Sequence, residues 1–296
     1  MFPFPAYSPD TFVPDPNWNT PARTGDVISG VGISLSDINH GSTSPPNGIT
    51  YLRFNDDGTR LFVASGDLYG YVYSLNYAPY DLAETIGRSF TTRRTLSSIN
   101  GLTISKDGLN FYFTSSTTAQ VVRYTTTTAY DLANASFSES LDTSSQMSSS
   151  YGIDISPDGK YLYVSEDSNT DAIIYLYYME TPHDLSTAVY LESYDAGASD
   201  SSIHNLKSLK ISPNGDYLWY SYYYFDVDIF DSVKQLNRLA LPNRFRLNSV
   251  VDQGGVDNNT FAGSAEVFGF EYPPAGNVLY YAGPGDTVYK ITYTDI

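Results

Sequence analysis

Five recurrences of one segment, a period-2 alternation inside each, and room for four strands between successive turns predict an all-β, five-bladed β-propeller. The recurring segment reads NGITYLRFNDDGTRLFV, GLTISKDGLNFYF, GIDISPDGKYLYV, SLKISPNGDYLWY and GFEYPPAGNVLYY. Its turn glycines, Gly58, Gly108, Gly159, Gly215 and Gly276, are 50, 51, 56 and 61 residues apart.

The first strand of each unit is set by the columns before the glycine. Four residues back stand Phe54, Ile104, Ile155, Ile211 and Tyr272, and six back stand Leu52, Leu102, Ile153, Leu209 and Phe270. Between them sit Arg53, Thr103, Asp154, Lys210 and Glu271. Apolar, polar, apolar is the signature of a strand whose two faces meet different surroundings. The turn follows from its own chemistry. In Ser-Pro-Asp-Gly the proline presets φ near −65° and the glycine accepts a positive φ, which predicts a type I turn with a G1 bulge. The second strand starts beyond the glycine. Leu61, Phe111, Leu162, Leu218 and Leu279 come three residues on, and Phe62, Tyr112, Tyr163, Trp219 and Tyr280 fill the next column with aromatics.

A third strand is predicted at Tyr71–Leu75, Val121–Tyr124, Ile173–Tyr177, Val288–Ile291 and, after an insertion in the fourth unit, near Val233–Asn237. A fourth is predicted at Ser89–Leu96, Ser136–Leu141, Val189–Tyr194 and Phe245–Val250. Tyr80-Asp81-Leu82 lies between third and fourth strands and is echoed by Tyr130-Asp131-Leu132 and His183-Asp184-Leu185. The fifth unit lacks a fourth strand of its own, and Val27–Leu35 is available to supply it. Such N-/C-terminal strand closure removes the free edges of an open stack. A partial ring completed by another chain is the alternative. The expected organisation is therefore residues 1–26 as an arm and 27–296 as the propeller.

The arm has a composition of its own. Six of the 16 prolines fall in it, interleaved with Phe2, Phe4, Tyr7, Phe12 and Trp18. Proline at this density blocks helix and central strand and favours extended backbone. Extended backbone carrying aromatics can lie along a partner, which makes these five residues the candidate anchoring set; folding back on the propeller is the other reading. No basic n-region with an apolar run opens the sequence, so export by a signal peptide is not expected. No stretch reaches the roughly 18 apolar residues of a membrane span, so membrane insertion is not expected either.

Ile-Ser-Pro-Asp-Gly-Lys-Tyr-Leu-Tyr-Val at 155–164 resembles the YVTN-type, WD40-like β-propeller repeat, and the resemblance covers about residues 47–296. It implies blades rather than an activity. The longer Ser/Thr-rich unit that ends in Tyr-Asp-Leu, running from Tyr124 to Ala135, is similar to repeats of bacteriophage virion and tail-associated propeller proteins. That second resemblance implies a virion component, and with it a place in a larger oligomeric assembly with other virion proteins as partners.

Composition narrows the chemistry. With 16 basic and 33 acidic residues the net charge is −17, and no basic stripe interleaved with aromatics occurs, so nucleic acid is not an expected partner. The absence of cysteine removes disulfides, thiolate catalysis and Cys-based metal sites. A five-bladed glycosidase needs paired carboxylates at the start of the inner strands. Thr50, Asn100, Tyr151, Lys207 and Phe268 stand there, with Gly48, Ser98, Ser149, Asn205 and Glu266 two residues earlier, and Glu266 alone makes no pair. His40, His183 and His204 sit in no nucleophile-elbow motif, and three scattered histidines do not build a transition-metal site. Asp167, Asn169 and Asp171 alternate like the start of a calcium loop, but Ala172 and Tyr178 occupy the positions where the EF-hand needs Gly and Glu. No catalytic residue, cofactor or metal is expected.

The candidate binding residues are Tyr222, Tyr223, Tyr224, Phe225, Asp226 and Asp228 in the insertion of the fourth unit. As a loop on the channel-mouth face they would offer rigid rings beside carboxylates, which suits a sugar or a protein anchor. The alternative is a longer strand whose rings pack between blades. Arg93-Arg94 and Arg244-Phe-Arg246 are expected as solvated charges on outer strands. The leading expectation is a non-enzymatic virion protein of a phage, tail- or capsid-associated. It would be held by its arm and would display the propeller to a host-surface glycan or protein, or to a neighbour. A lectin-like carbohydrate-binding propeller is the alternative, and a glycoside hydrolase the third reading.

Overall fold

The computed structural model describes residues 27–34, 49–55, 57–65, 69–75, 85–91, 99–115, 117–166, 168, 171–198, 203, 205–226, 231–257, 270–271, 278–283 and 287–293. The strands come in the predicted order. β1 (Val27–Ser34) precedes β2 (Ile49–Phe54), β3 (Arg60–Ser65), β4 (Tyr69–Leu75) and β5 (Thr85–Thr91). Next are β6 (Gly101–Ile104), β7 (Asn110–Ser115), β8 (Gln120–Thr125) and β9 (Ser136–Asp142). β10 (Ser150–Ile155), β11 (Tyr161–Glu166), β12 (Ile173–Met179) and β13 (Ala188–Asp195) form the third group. β14 (Leu206–Ile211), β15 (Tyr217–Asp226), β16 (Asp231–Ala240) and β17 (Val251–Asp257) form the fourth, and β18 (Phe270–Glu271), β19 (Val278–Gly283) and β20 (Thr287–Tyr293) the last. Two 3-10 turns, Leu132–Asn134 and Leu185–Thr187, are the helical elements among the described residues.

Among the described residues these strands make five four-stranded antiparallel sheets. Four sheets are sequential meanders, and the fifth has the order β1-β20-β19-β18, with Val31 opposite Lys290. Contacts run from β2 to β6, β6 to β10, β10 to β14, β14 to β18 and β18 to β2. One end strand of every sheet, β2, β6, β10, β14 or β18, therefore meets the corresponding strand of the next.

Burial follows from that stacking. Leu61 with Phe62, Phe111 with Tyr112, Leu162 with Tyr163 and Leu218 with Trp219 are consecutive pairs, and both members of every pair are buried. Successive side chains on a strand point to opposite faces, so each of these sheets is covered on both sides. Exposure rises toward the last strand, where β9 and β13 alternate exposed and half-buried positions.

The turns close as their residues dictate. Gly58, Gly108, Gly159 and Gly215 have φ of 68°, 70°, 72° and 75°, the conformation glycine adopts without a Cβ penalty. Each N–H donates to the carbonyl three residues back, as Gly159 does to Ser156 at 2.8 Å. The aspartate before the glycine ties the loop down, with Asp158 Oδ1 accepting from Ser156 Oγ at 2.6 Å and from Lys160 N at 3.1 Å.

Three sequence-based boundaries are corrected. The fourth strand of the fourth sheet is Val251–Asp257, not Phe245–Val250, because Phe245 has φ 61° and starts a turn. The fourth strand of the first sheet begins earlier than Ser89, at Thr85. At residues 222–226 the longer strand, the alternative the sequence also offers, stands in place of the loop. The arm of residues 1–26 and Tyr80-Asp81-Leu82 lie outside the described residues.

Candidate functional site

Charged side chains gather first where the inner strands converge. Arg53 on β2 pairs with Asp154 on β10 at 3.0 Å, and the two side chains are 3% and 4% exposed. Asp154 also accepts from Thr103 Oγ1 at 2.7 Å, from its neighbour's Ile155 N at 2.9 Å and from Ile211 N at 2.8 Å. Arg53 reaches the carbonyls of Ile153 and Leu209 at 3.3 and 3.4 Å. Tyr51 donates to the same two oxygens at 3.1 and 2.9 Å, and burial pushes its hydroxyl pKa up, so it stays protonated. Side chains from β2, β6 and β10 and the backbone of β14 thus knot together at one level. A carboxylate with four donors around it is committed to structure.

The seams between sheets form the second gathering, and they explain the Tyr-Asp-Leu units. Tyr130, His183 and Phe245 take φ of 62°, 67° and 61°, and their N–H groups donate to Gly108, Gly159 and Gly215 carbonyls at 2.8, 2.9 and 3.0 Å. This lays each ring over its turn glycine, in the space a Cβ would need; at Gly108 and Gly215 that atom would stand 2.6 Å from the ring. The carbonyl of the same residue accepts from the preceding sheet. Arg60 Nη1 donates to Tyr130 at 3.0 Å, Tyr112 Oη to His183 at 3.3 Å, and Tyr163 Oη to Phe245 at 2.7 Å. The aromatic column after the turn thus fastens one sheet to the next at Tyr112 and Tyr163, and Arg60 does so at the first seam. Tyr112 Oη also meets His183 Nδ1 at 3.0 Å, and burial pushes that imidazole's pKa down.

Carboxylates of the last strands complete the seams. Glu139 on β9 accepts from Leu185 N at 2.8 Å and pairs with Arg123 at 3.1 Å. Glu192 on β13 accepts from Leu247 N and holds Arg246 through two bonds of 2.9 and 3.0 Å. Arg244 pairs with the buried Asp216 at 2.7 Å. The expected solvated charges at Arg244 and Arg246 are therefore ion-paired in a turn between sheets. Phe245-Arg246-Leu247 occupies the place of the Tyr-Asp-Leu units, and the shared signal is the buried leucine preceded two residues earlier by a ring. Arg93 and Arg94 lie outside the described residues.

The insertion in the fourth sheet makes the feature that stands clear of the repeat. β15 and β16 pair from Tyr217↔Ala240 to Asp226↔Asp231. β14 ends its pairing at Leu206↔Tyr222, and β17 at Gln235↔Asp257. Tyr223↔Lys234, Tyr224↔Val233, Phe225↔Ser232 and Asp226↔Asp231 consequently form a two-stranded hairpin with no further strand on either side among the described residues. Four rungs at about 3.4 Å each carry it roughly 14 Å past the sheet. Tyr222, predicted as a binding residue, is 5% exposed and stacks on Tyr220 at 6.0 Å, inside the core that holds Leu206, Leu209 and Leu236's neighbour Leu239. Tyr223, Tyr224, Phe225 and Asp226 lie along the projecting rungs, and Asp228 lies outside the described residues, as do Phe2, Phe4, Tyr7, Phe12, Trp18 and Glu266. Among the described residues no three His, Asp or Glu side chains are placed to hold a metal ion.

No family model and no curated protein matches the chain. Solved structures do. A Bacteroides uniformis protein described provisionally as a 6-phosphogluconolactonase is 15% identical, with a TM-score of 0.50 over 85% of this chain and 67% of that one. The β-propeller domain of Myceliophteria thermophila Cps50 (Swd1) is 11% identical, with a TM-score of 0.48 over 89% and 100% of the two chains. A chain of the mitotic checkpoint complex is 14% identical, with a TM-score of 0.46, and the match spans 66% of its length. At such identities the likeness is one of fold: all-β, antiparallel and propeller-like.

Proposed function

We propose that the chain is a non-enzymatic binding protein, a five-bladed propeller closed by β1 on β20, that meets its partner through the β15–β16 hairpin. The observation that carries this reading is the hairpin itself, four rungs beyond the sheet in a unit whose counterparts have shorter strands. Tyrosine and phenylalanine with neighbouring aspartates are the residue types that anchor protein or glycan contacts. The axial carboxylate Asp154 is consumed by structural bonds, which leaves the described inner strands without the paired carboxylates of a glycosidase.

Within this reading the protein is a virion component of a bacteriophage. Its arm, with Phe2, Phe4, Tyr7, Phe12 and Trp18, docks it to the particle, and the propeller faces a host-surface protein or glycan. The sequence resemblance of the Tyr124–Ala135 unit supports that assignment. Purified particles decide it: the chain is expected there by mass spectrometry, and deletion of residues 1–26 is expected to abolish incorporation while leaving a folded propeller. Unchanged incorporation refutes the role of the arm. Replacing residues 223–234 with Asn-Gly is expected to keep the melting temperature and to remove adsorption to host cells; full adsorption refutes the role of the hairpin. Removing residues 27–36 is expected to lower the melting temperature, and an unaltered one refutes closure.

A further inference from the structure

The last strands of three sheets share a pattern of which the seams use only Glu139 and Glu192. β9 reads SFSESLD, β13 AVYLESYD and β17 VDQGGVD, with carboxylates on each and no lysine or arginine on any. Each is the terminal strand of its sheet. Each also begins with an apolar side chain left in solvent: Phe137 is 48% exposed, Val189 54%, Tyr190 45% and Val251 53%. Asp142 and Asp195 are exposed at the far ends of β9 and β13, and the exposed Asp252 follows Val251.

A terminal strand turns half of its N–H and C=O groups away from its one neighbour, which is a template for another strand. Soluble proteins blunt such edges above all with lysine, and these three edges carry none. Pairing with a second copy of this chain would set carboxylate against carboxylate between two molecules of net charge −17. A basic strand meets the opposite situation. Backbone bonds supply its affinity, its apolar side chains cover the exposed rings and valines, and its cations find the aspartates.

We propose that the outer edges of β9, β13 and β17 take up an extended segment of a partner protein, one in which Lys or Arg alternates with apolar residues, as a fifth strand. On β13, where Val189 and Tyr190 point to opposite faces, Val189 receives the apolar side chains, and Asp195, on the face of Tyr190, receives a cation. The bulge at Leu191, opposite the step from Leu176 to Tyr177, limits the added strand to short runs on either side.

The test uses the full chain and three acetylated eight-residue peptides: Lys and Val alternating, Glu and Val alternating, and the Lys–Val peptide N-methylated at every second amide. The Lys–Val peptide is expected to bind by fluorescence anisotropy and to slow hydrogen exchange of outward amides in 188–195 by about tenfold or more. The other two peptides are expected to do neither. Val189→Lys with Tyr190→Lys is expected to weaken binding to β13 about tenfold at an unchanged melting temperature. Binding with no slowing of exchange on the outer strands means charge attraction alone and overturns the proposal. Equal binding of the N-methylated or the Glu–Val peptide, or no binding at all, overturns it too.

Discussion

Asp154→Asn should unfasten the centre of the molecule. The substitution removes the charge that faces the Arg53 guanidinium at 3.0 Å, in a place where both side chains are almost wholly buried. Taking the anion from a buried pair costs about 3–5 kcal/mol, because the remaining cation keeps its desolvation penalty. The new amide nitrogen cannot accept, so either Ile211 N or Ile155 N loses its acceptor, for about 1–3 kcal/mol more; the Thr103 hydroxyl can rotate and escape that loss. A destabilisation of about 4–8 kcal/mol is expected. The assay is urea unfolding followed by near-ultraviolet circular dichroism, which reads the buried Trp219 and its tyrosine neighbours. Arg53→Met in the same background should recover about 2 kcal/mol, since an uncompensated charge is then removed. Asp154→Asn within about 1 kcal/mol of the parent, or effects that add within about 0.5 kcal/mol, would refute the idea that these side chains form one unit.

Gly215→Ala should cost about 2–4 kcal/mol in the same assay, since alanine at φ 75° is strained and its Cβ would stand 2.6 Å from the Phe245 ring. An effect under about 0.5 kcal/mol would show that the ring yields freely. His183 should make stability pH-dependent. Burial holds its folded pKa below the unfolded value of about 6.5, so its contribution is complete above that pH and is lost as the pH falls toward the folded pKa. His183→Tyr, which copies Tyr130, should flatten the curve between about pH 7 and 5, and an unchanged slope there would exclude His183 as its source. Glu192→Gln should cost about 1–3 kcal/mol, because the buried Leu247 N–H and Arg246 lose a shared charged acceptor; a melting temperature equal to the parent's would count against the bridge.

Legibility differs between repeat and exception. The turn glycines, the columns around them and the four-strand units could be read from spacing alone, because a repeated backbone conformation imposes the same residue type each time. The Arg53–Asp154 pair could not. Its members stand in one polar column of the inner strands, but a column says nothing of which sheets meet across the centre. Phe245-Arg246-Leu247 reads as strand in the sequence because apolar alternation mimics one, whereas Phe245 takes a positive φ and its N–H donates to the Gly215 carbonyl. At the candidate site the sequence marked the insertion correctly as exceptional. It could not separate Tyr222, which still has β14 beside it, from Tyr223–Asp226, which have passed the sheet's end.

Each of the three described seams is divided between two units: a donor on the second strand of one, and a ring-bearing acceptor in the turn after the third strand of the next. A tandem duplication of one whole unit therefore copies one donor and one acceptor together. The new unit can engage its neighbours on both sides without any compensating substitution, and so can the remaining chain after a whole-unit deletion. Gain or loss of part of a unit leaves an unmatched half buried at a seam. Lineages of this fold are thus free to lengthen or shorten in steps of about fifty residues, and to vary the hairpin between β15 and β16, which no seam crosses, without restriction from their neighbours.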